Sequence, residues 1–471
     1  MRRLRSYLLI GRVIGRKTPW ENRMNRVWTG ALCLVLALLA GCDGDEDGPR
    51  QIPPLAQLRI VNLVSDAPTI LMDFSSNLVA GISYTEATPL SPVVSGRHLV
   101  VIAHESVIDA TPTFLLQETE FPVNRNEEIT LIAAGTVDMP TLTRVDQTVD
   151  TNPGADQTEV HYYNADSAGA TWNVYLSSSP DSTSINGITP VSLGEGESSN
   201  LQAVSSGTHR LFITASGGSD IVYDSGAFNL SPGTRRLVVV TDNHGPGGPV
   251  RALLVDDAGA RNFPAERMPS SLRVANLIAG LGNVDVSVNG SAIWTDVTAT
   301  TMTNYHEVTN EGRDVEIVVT RAGQPAEVLL TESRTLVSGE FATLVLAADG
   351  AEAESRFVTD PTRPISTGAQ LQFIHGAPEA GVIEVYLLDV GADPQFTSPT
   401  YVLPTLFLEV DTFLQSRDYD LVLTFAGTAT ELARATISMP LNTIHTVIVG
   451  DPATPGGNDF TLIVEDDSPS S

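Results

Sequence analysis

The chain has 471 residues, a formal net charge of −29, 42% hydrophobic and 6% aromatic residues, and two cysteines. Two cysteines exclude a disulfide-dense scaffold, and 18% charged residues are too few for a typical disordered chain. Twenty-seven basic against fifty-six acidic residues exclude a phosphate-binding basic face, so no nucleic-acid partner is expected, and the length favours several domains over one core.

Residues 31–40 form an uncharged apolar run preceded by Arg23 and Arg26, the basic region and short apolar segment of an export signal. At about ten residues it falls far short of the roughly 20 that cross a bilayer as a helix. The run ends in Leu39-Ala40-Gly41-Cys42, which resembles the lipobox of bacterial lipoproteins. That resemblance implies that 1–41 is a signal peptide cut after Gly41, and that the Cys42 thiol carries a diacylglycerol. The chain would then be anchored to a membrane through its N-terminal lipid rather than span it. With Cys33 discarded and Cys42 acylated, no free thiol remains for disulfide, nucleophilic or metal chemistry. Asp43 resembles the inner-membrane retention signal of enterobacterial lipoproteins; the rule varies between bacteria, so inner and outer membrane both stay open. Residues 1–23 precede the signal, and a start at Met24 would give it a conventional short basic region, a long one being the alternative. The acidic stretch 43–48 imitates the start of an EF-hand loop, but its twelfth position is Pro54 where a bidentate Glu is needed. It reads as a solvated tether within 42–56.

Four segments then begin alike: Leu58-Arg59-Ile60-Val61-Asn62, Val160-His161-Tyr162-Tyr163-Asn164, Leu272-Arg273-Val274-Ala275-Asn276 and Leu371-Gln372-Phe373-Ile374-His375. Each is followed by a second strand-like run, at 70–74, 172–176, 284–288 and 383–387. A turn and a β-branched run come next, as in Ser95-Gly96-Arg97-His98 and Ser206-Gly207-Thr208-His209; the fourth copy has Ser416-Arg417-Asp418 in place of the glycine turn. Asp314-Val315-Glu316-Ile317 alternates polar and apolar with the two-residue period of a half-buried strand. Turn residues recur at the spacing of a sandwich, and about 90–100 residues per copy is the size of an immunoglobulin-like domain. The expected fold is all-β: four tandem immunoglobulin-like β-sandwiches at 57–145, 159–255, 271–358 and 370–466. Polar, proline-bearing stretches at 146–158, 256–270 and 360–369 separate them, so the expected arrangement is beads on a semi-rigid string.

These repeats resemble the domain-of-unknown-function 4397 family, a bacterial extracytoplasmic module found in tandem on exported proteins and lipoproteins. The resemblance rests on the opening strand with its terminal Asn, the nearby Ala67-Pro68 and Ala377-Pro378, the mid-domain Gly turn and the late apolar strand. It implies architecture and a cell-envelope location. It implies no chemistry, because the family's activity is unassigned.

No catalytic constellation is found. His104-Glu105 and His306-Glu307 begin a zincin motif but lack its second His, and no Gly-x-Ser-x-Gly elbow is present. His98 and His209 sit at matching positions after the Gly turn and read as strand-end polar residues. Asn62, Asn164, Asn276 and His375 align at the end of the opening strand, where Asn caps turns. The glycines of 217–220 and 245–248 read as hairpin or loop residues, with no helix to receive a phosphate. Trp172 opens a core-like strand and Trp294 is ambiguous, which leaves few aromatic platforms for a sugar. Asp256-Asp257, Asp360 and Asp466-Asp467 lie near domain ends and raise interdomain calcium as the one cofactor to consider. The leading reading is a lipid-anchored, non-catalytic envelope protein whose modules form a binding or spacer ectodomain, with an unknown envelope protein or glycan as partner. A glycan-binding or adhesive surface protein is the runner-up; an envelope hydrolase with its site on loops of one repeat is the third.

Overall fold

The structure, a computed structural model, describes residues 55–468 apart from 75–76, 108–111, 149–152, 264, 267, 279, 310–313, 350–351, 405 and 455. The anchor residues Leu39, Ala40, Gly41, Cys42 and Asp43, with the acidic stretch 43–48, lie outside the described residues. Among the described residues the chain is all-β, with two single-turn 3-10 segments and no α-helix.

The first repeat consists of β1 (Leu55–Val64), β2 (Ile70–Phe74), β3 (Asn77–Ile82), β4 (Ser91–Val94), β5 (Gly96–Glu105), β6 (Pro112–Val123), β7 (Glu127–Gly135) and β8 (Pro140–Thr148). They form two four-stranded sheets, β4-β1-β7-β8 and β3-β2-β5-β6, which face each other as a sandwich. β1 lies parallel to β7. The other three repeats keep that parallel pair: Gln157–Asn164 beside Thr234–Asp242, Ser270–Asn276 beside Phe341–Asp349, and Ala369–Gly376 beside Thr443–Gly450. The chain turns from β4 in one sheet into β5 in the other at Gly96, whose φ is +148°; Gly207, at φ +117°, makes the same corner in the second repeat. A side chain is disfavoured in this backbone region, so the mid-domain glycine marks where a strand changes sheets. The fourth repeat makes its corner between Glu409–Leu414 and Arg417–Phe425 without a glycine.

The opening strands decide how the repeats meet. In β1, Leu58 and Ile60 belong to the repeat's own core, whereas Val61 and Leu63 join a second cluster with Tyr163, Leu237, Val239 and Leu253 of repeat two. In repeat three, Leu272 and Val274 face inward, while Ala275 and Leu277 meet Ile374, Phe407, Ile448 and Ile463 of repeat four. The first sheets therefore pack face to face in two doublets, repeats one with two and three with four. A sheet covered on both faces has no polar side, which is why β1 is buried almost continuously along its length.

This overturns the expected string of beads: Pro54–Ser471 is one compact unit. The second and third polar connections are built into it. Gly259–Asn262 adds a strand to repeat two, and Phe263, Ala265 and Met268 close its core. In the stretch 360–369, Asp360 and Ile365 are buried.

The aligned residues at the end of each opening strand cap the turn that follows and, being buried, also pin the two sheets together. Asn62 donates from Nδ2 to the Ile82 carbonyl (2.8 Å) and accepts from the Val64 N–H (3.0 Å). Asn164 donates to the Ala170 and Leu193 carbonyls and accepts from Asp166 N–H; Asn276 donates to the Val297 carbonyl and accepts from Ile278 N–H. His375 substitutes for the amide in repeat four, donating from Nε2 to the Gly381 carbonyl (2.7 Å) and accepting at Nδ1 from Ala377 N–H (3.2 Å). That pairing needs a neutral ring, and burial lowers the His375 pKa in the same direction. All four side chains are buried, so their partners have no water to turn to. Asn62→Ala is expected to destabilise the protein by about 2–4 kcal/mol, because it deletes side-chain packing and orphans a buried carbonyl and N–H. Denaturant unfolding of the variant measures this; an unchanged midpoint would rule out the pin.

Candidate functional site

The residues singled out for chemistry in the sequence do not converge. His98 stacks on Phe74 at 4.5 Å and bonds the Val94 carbonyl, whereas His209 is buried and bonds the Gly207 carbonyl, each within its own repeat. His104 is a buried residue of β5, and His306 is an exposed residue lying edge-on to Trp294. Trp172 is a core residue whose Nε1 donates to Asp166, and Trp294 is half-buried with Nε1 directed at the Asn304 carbonyl. The glycines at 217–218 turn the hairpin between Gly207–Ala215 and Ile221–Leu230. Among the described residues no group of three or more His, Cys, Asp or Glu is placed to hold a metal ion.

Two arginines in the opening strands organise the doublet interfaces. Arg59 and Arg273 alternate with residues of their own cores, so their side chains enter the seam between facing sheets. Arg59 donates through Nε to Thr130 Oγ1 (2.8 Å) and through Nη2 to Glu128 (3.2 Å), and Asp257 of repeat two lies 3.8 Å from Nη1. Arg273 repeats the geometry more tightly. Its Nε bonds Thr343 Oγ1 (2.7 Å), and both terminal nitrogens bond Asp467 of repeat four, Nη2 at 2.8 Å. Asp360 stands 3.5 Å away and accepts from Tyr305 Oη and Thr343 Oγ1, while the guanidinium lies 4.4 Å above the Tyr305 ring. Burial alone would lower the Arg273 pKa, but Asp467 and Asp360 outweigh it and raise it. Of the five carboxylates considered for calcium, Asp257, Asp360 and Asp467 therefore face arginines, whereas Asp256 accepts from Ala258 N–H and Asp466 from Ser468 N–H.

One concave feature lies where the doublets meet. A cleft of about 380 Å³ is lined by Asn243, His244, Tyr305, Phe341, Thr362 and Asp467, with Gly245 and Pro361. It draws on repeats two, three and four and on the connection between the last two. The 243–249 loop reaches it because Asn243 Nδ2 gathers the Gly245, Pro246 and Gly248 carbonyls, and because Gly245 has no side chain. A Cβ there would stand 2.5 Å from the Gly339 carbonyl of repeat three. Beside the cleft, Tyr84 of repeat one is edge-on to His244 at 5.6 Å and bonds Thr241. Arg363 donates to the Ser65 and Ala67 carbonyls across the junction (3.1 and 2.6 Å). Sequence reasoning missed Tyr84, His244, Arg251 and Arg363. The signal for Arg59 and Arg273 was present, a cation at one fixed place in two otherwise apolar strands.

The family described as Domain of unknown function (DUF4397) matches residues 56–175 and 270–386. The chain belongs to the DUF4397 family. Each match starts with the opening strand of an odd-numbered repeat and ends in the second strand of the next, so each reaches across a doublet seam. Comparison with curated proteins gives no match. Among solved structures, this DUF4397 chain is similar to a family CBM26 carbohydrate-binding module of Eubacterium rectale Amy13K in complex with maltoheptaose. Identity there is 13% over 43% of this chain and 98% of the module, with a TM-score of 0.16. A putative cell adhesion protein from Parabacteroides distasonis matches at 10% identity over 66% of this chain and 99% of its own, with a TM-score of 0.14. Scores this low carry no argument about ligand or mechanism.

Arg273→Met is expected to cost about 3–5 kcal/mol, because it strands two buried carboxylates without their cation. Arg59→Met should cost less, since it strands one buried carboxylate, Glu128, rather than two: Asp257 is 72% exposed and can be hydrated, against 9% for Asp467 and 1% for Asp360. Paired denaturant titrations measure the ordering; equal losses would contradict it.

Proposed function

We propose that this DUF4397 chain is a lipid-anchored, non-catalytic binding ectodomain of the bacterial cell envelope. The observation that carries the reading is the Leu39-Ala40-Gly41-Cys42 sequence at the end of a short apolar run, followed by an acidic tether and a compact β unit from Pro54 onward. Acylation of Cys42 would attach the chain, and two or more acyl chains would make the attachment stable. With the eight basic and one acidic residues of 1–41 set aside, the net charge becomes −36, which keeps the ectodomain soluble and off anionic headgroups.

The architecture supports a binding role over a flexible spacer. A string of independent beads would extend and bend at its linkers, whereas here the second and third connections bury Phe263, Met268 and Ile365, and the doublets touch through Arg363 and Gly245. Such a body holds groups from different repeats in fixed relation, and the cleft at the junction is the place where it does so.

Cys42→Ser is expected to move the protein from the membrane fraction to the soluble envelope fraction and to abolish labelling by a fatty-acid probe. Labelling that survives the substitution would refute the anchor.

A further inference from the structure

The arginines of this protein are the cations left once the leader, with the single lysine Lys17, is set aside. Those taken into the repeats face carboxylates: Arg59 faces Glu128, Arg210 faces Asp224, Arg235 faces Glu159, and Arg273 faces Asp467. Half-buried Arg236, which bonds the Arg235 carbonyl, departs from this, and so do Arg251 and Arg363 together at one place. Both are half-buried and sit over the ring of Tyr84, with guanidinium carbons 5.7 and 4.8 Å from its centroid. Among the described residues neither has a carboxylate within 4 Å. Arg363 bonds two neutral carbonyls, and the buried Nε of Arg251 has no hydrogen-bond partner.

His244 adds a third donor at the same place. It lines the junction cleft, lies edge-on to Tyr84, and its buried Nε2 is without a partner. Burial, reinforced by Arg363 and Arg251, holds its pKa down at about 4, so the ring is neutral at pH 7 and able to donate from one nitrogen. The neighbouring carboxylates bond elsewhere through one oxygen each or more, and the second carboxylate oxygen of Asp242 is buried without a partner. Asp66 accepts from Val137 N–H, Asp242 accepts from Ser167 N–H, and Asp467, at the other side of the cleft, accepts from Arg273.

An acidic protein thus gathers around Tyr84 two guanidiniums without a carboxylate within 4 Å, next to His244, which lines a cleft of about 380 Å³ walled by Tyr305 and Phe341. A buried donor without a partner, such as the Arg251 Nε, is costly, and an oxyanion satisfies it best because guanidinium matches carboxylate and phosphate geometry. We propose that the junction between the doublets is a binding site for a small carboxylate- or phosphate-bearing molecule, its oxyanion held by Arg251 and Arg363 with His244 donating. The aromatic walls would cover the rest of the ligand. Because the donors come from repeat two and from the connection leading to repeat four, occupancy also ties the doublets together and raises stability by mass action.

The inference rests on the binding-ectodomain reading but not on the lipid, and the two fail separately: loss of fatty-acid labelling speaks only to Cys42. The test is calorimetric titration of the detergent-solubilised full chain with inorganic phosphate and with succinate, against sodium chloride at equal ionic strength. Saturable binding of one of them, absent with chloride, is expected; which one binds separates phosphate from carboxylate ligands. Arg251→Gln, which removes no hydrogen bond seen in the structure, is expected to weaken that binding about tenfold or more. Arg125→Gln, at an exposed arginine, should leave it unchanged. No saturable binding of either anion, or equal affinity in wild type and Arg251→Gln, would overturn the site.

Discussion

A β-sheet that buries both faces must find two apolar surfaces, and one sandwich supplies only one. That constraint governs this protein. The sheet carrying each opening strand covers its own core with alternate residues, Leu58 and Ile60 in the first repeat, and presents Val61 and Leu63 on the other side. The second repeat offers Tyr163, Leu237 and Val239 in answer, and repeats three and four solve the same problem with Ala275, Val345, Ile374 and Ile448. Apolar burial is the dominant favourable term in folding, so the doublet is the smallest piece of this chain that satisfies it.

The polar groups in the seam follow from the same packing. A guanidinium placed on the outer face of an opening strand has no water once the next repeat docks, and it needs carboxylates where it lands. Arg273 finds Asp467 from the far end of repeat four and Asp360 from the connection, while Arg59 finds Glu128 beside it and Asp257 across the seam. Such pairs add little net stability over apolar replacements, but a mis-docked repeat would leave them unpaired, which selects one register. The sheet-to-sheet pins work within each repeat in the same way. His375 shows that the requirement is for a donor and an acceptor at that point rather than for asparagine.

The repeats, the succession of strands along each and the aligned turn-capping residues were legible in the sequence because they are local: alternation, turn residues and a recurring terminal Asn. The doublets were less so. Leu58 to Val64 lacks two-residue alternation apart from Arg59 and Asn62, which signals a strand covered on both sides, and the polar stretches between repeats hide Phe263, Met268 and Ile365, all buried. Reading those stretches as linkers followed their composition, whereas burial depends on what docks against them. The junction cleft was illegible for a stronger reason. Tyr84, His244, Arg251, Tyr305 and Arg363 come from separate repeats and an interrepeat connection, and only the stacking of doublets brings them together.

The central claim is that a doublet, and not a single sandwich, is the cooperative unit. Equilibrium unfolding of residues 270–468, compared with residues 270–359 alone, tests it most directly. The account predicts one cooperative transition for the doublet, with a denaturant slope scaled to its full size, and a single repeat that is unfolded or self-associated through its exposed Ala275, Leu277 and Val345. A monomeric single repeat that unfolds cooperatively at the same midpoint as the doublet would contradict it.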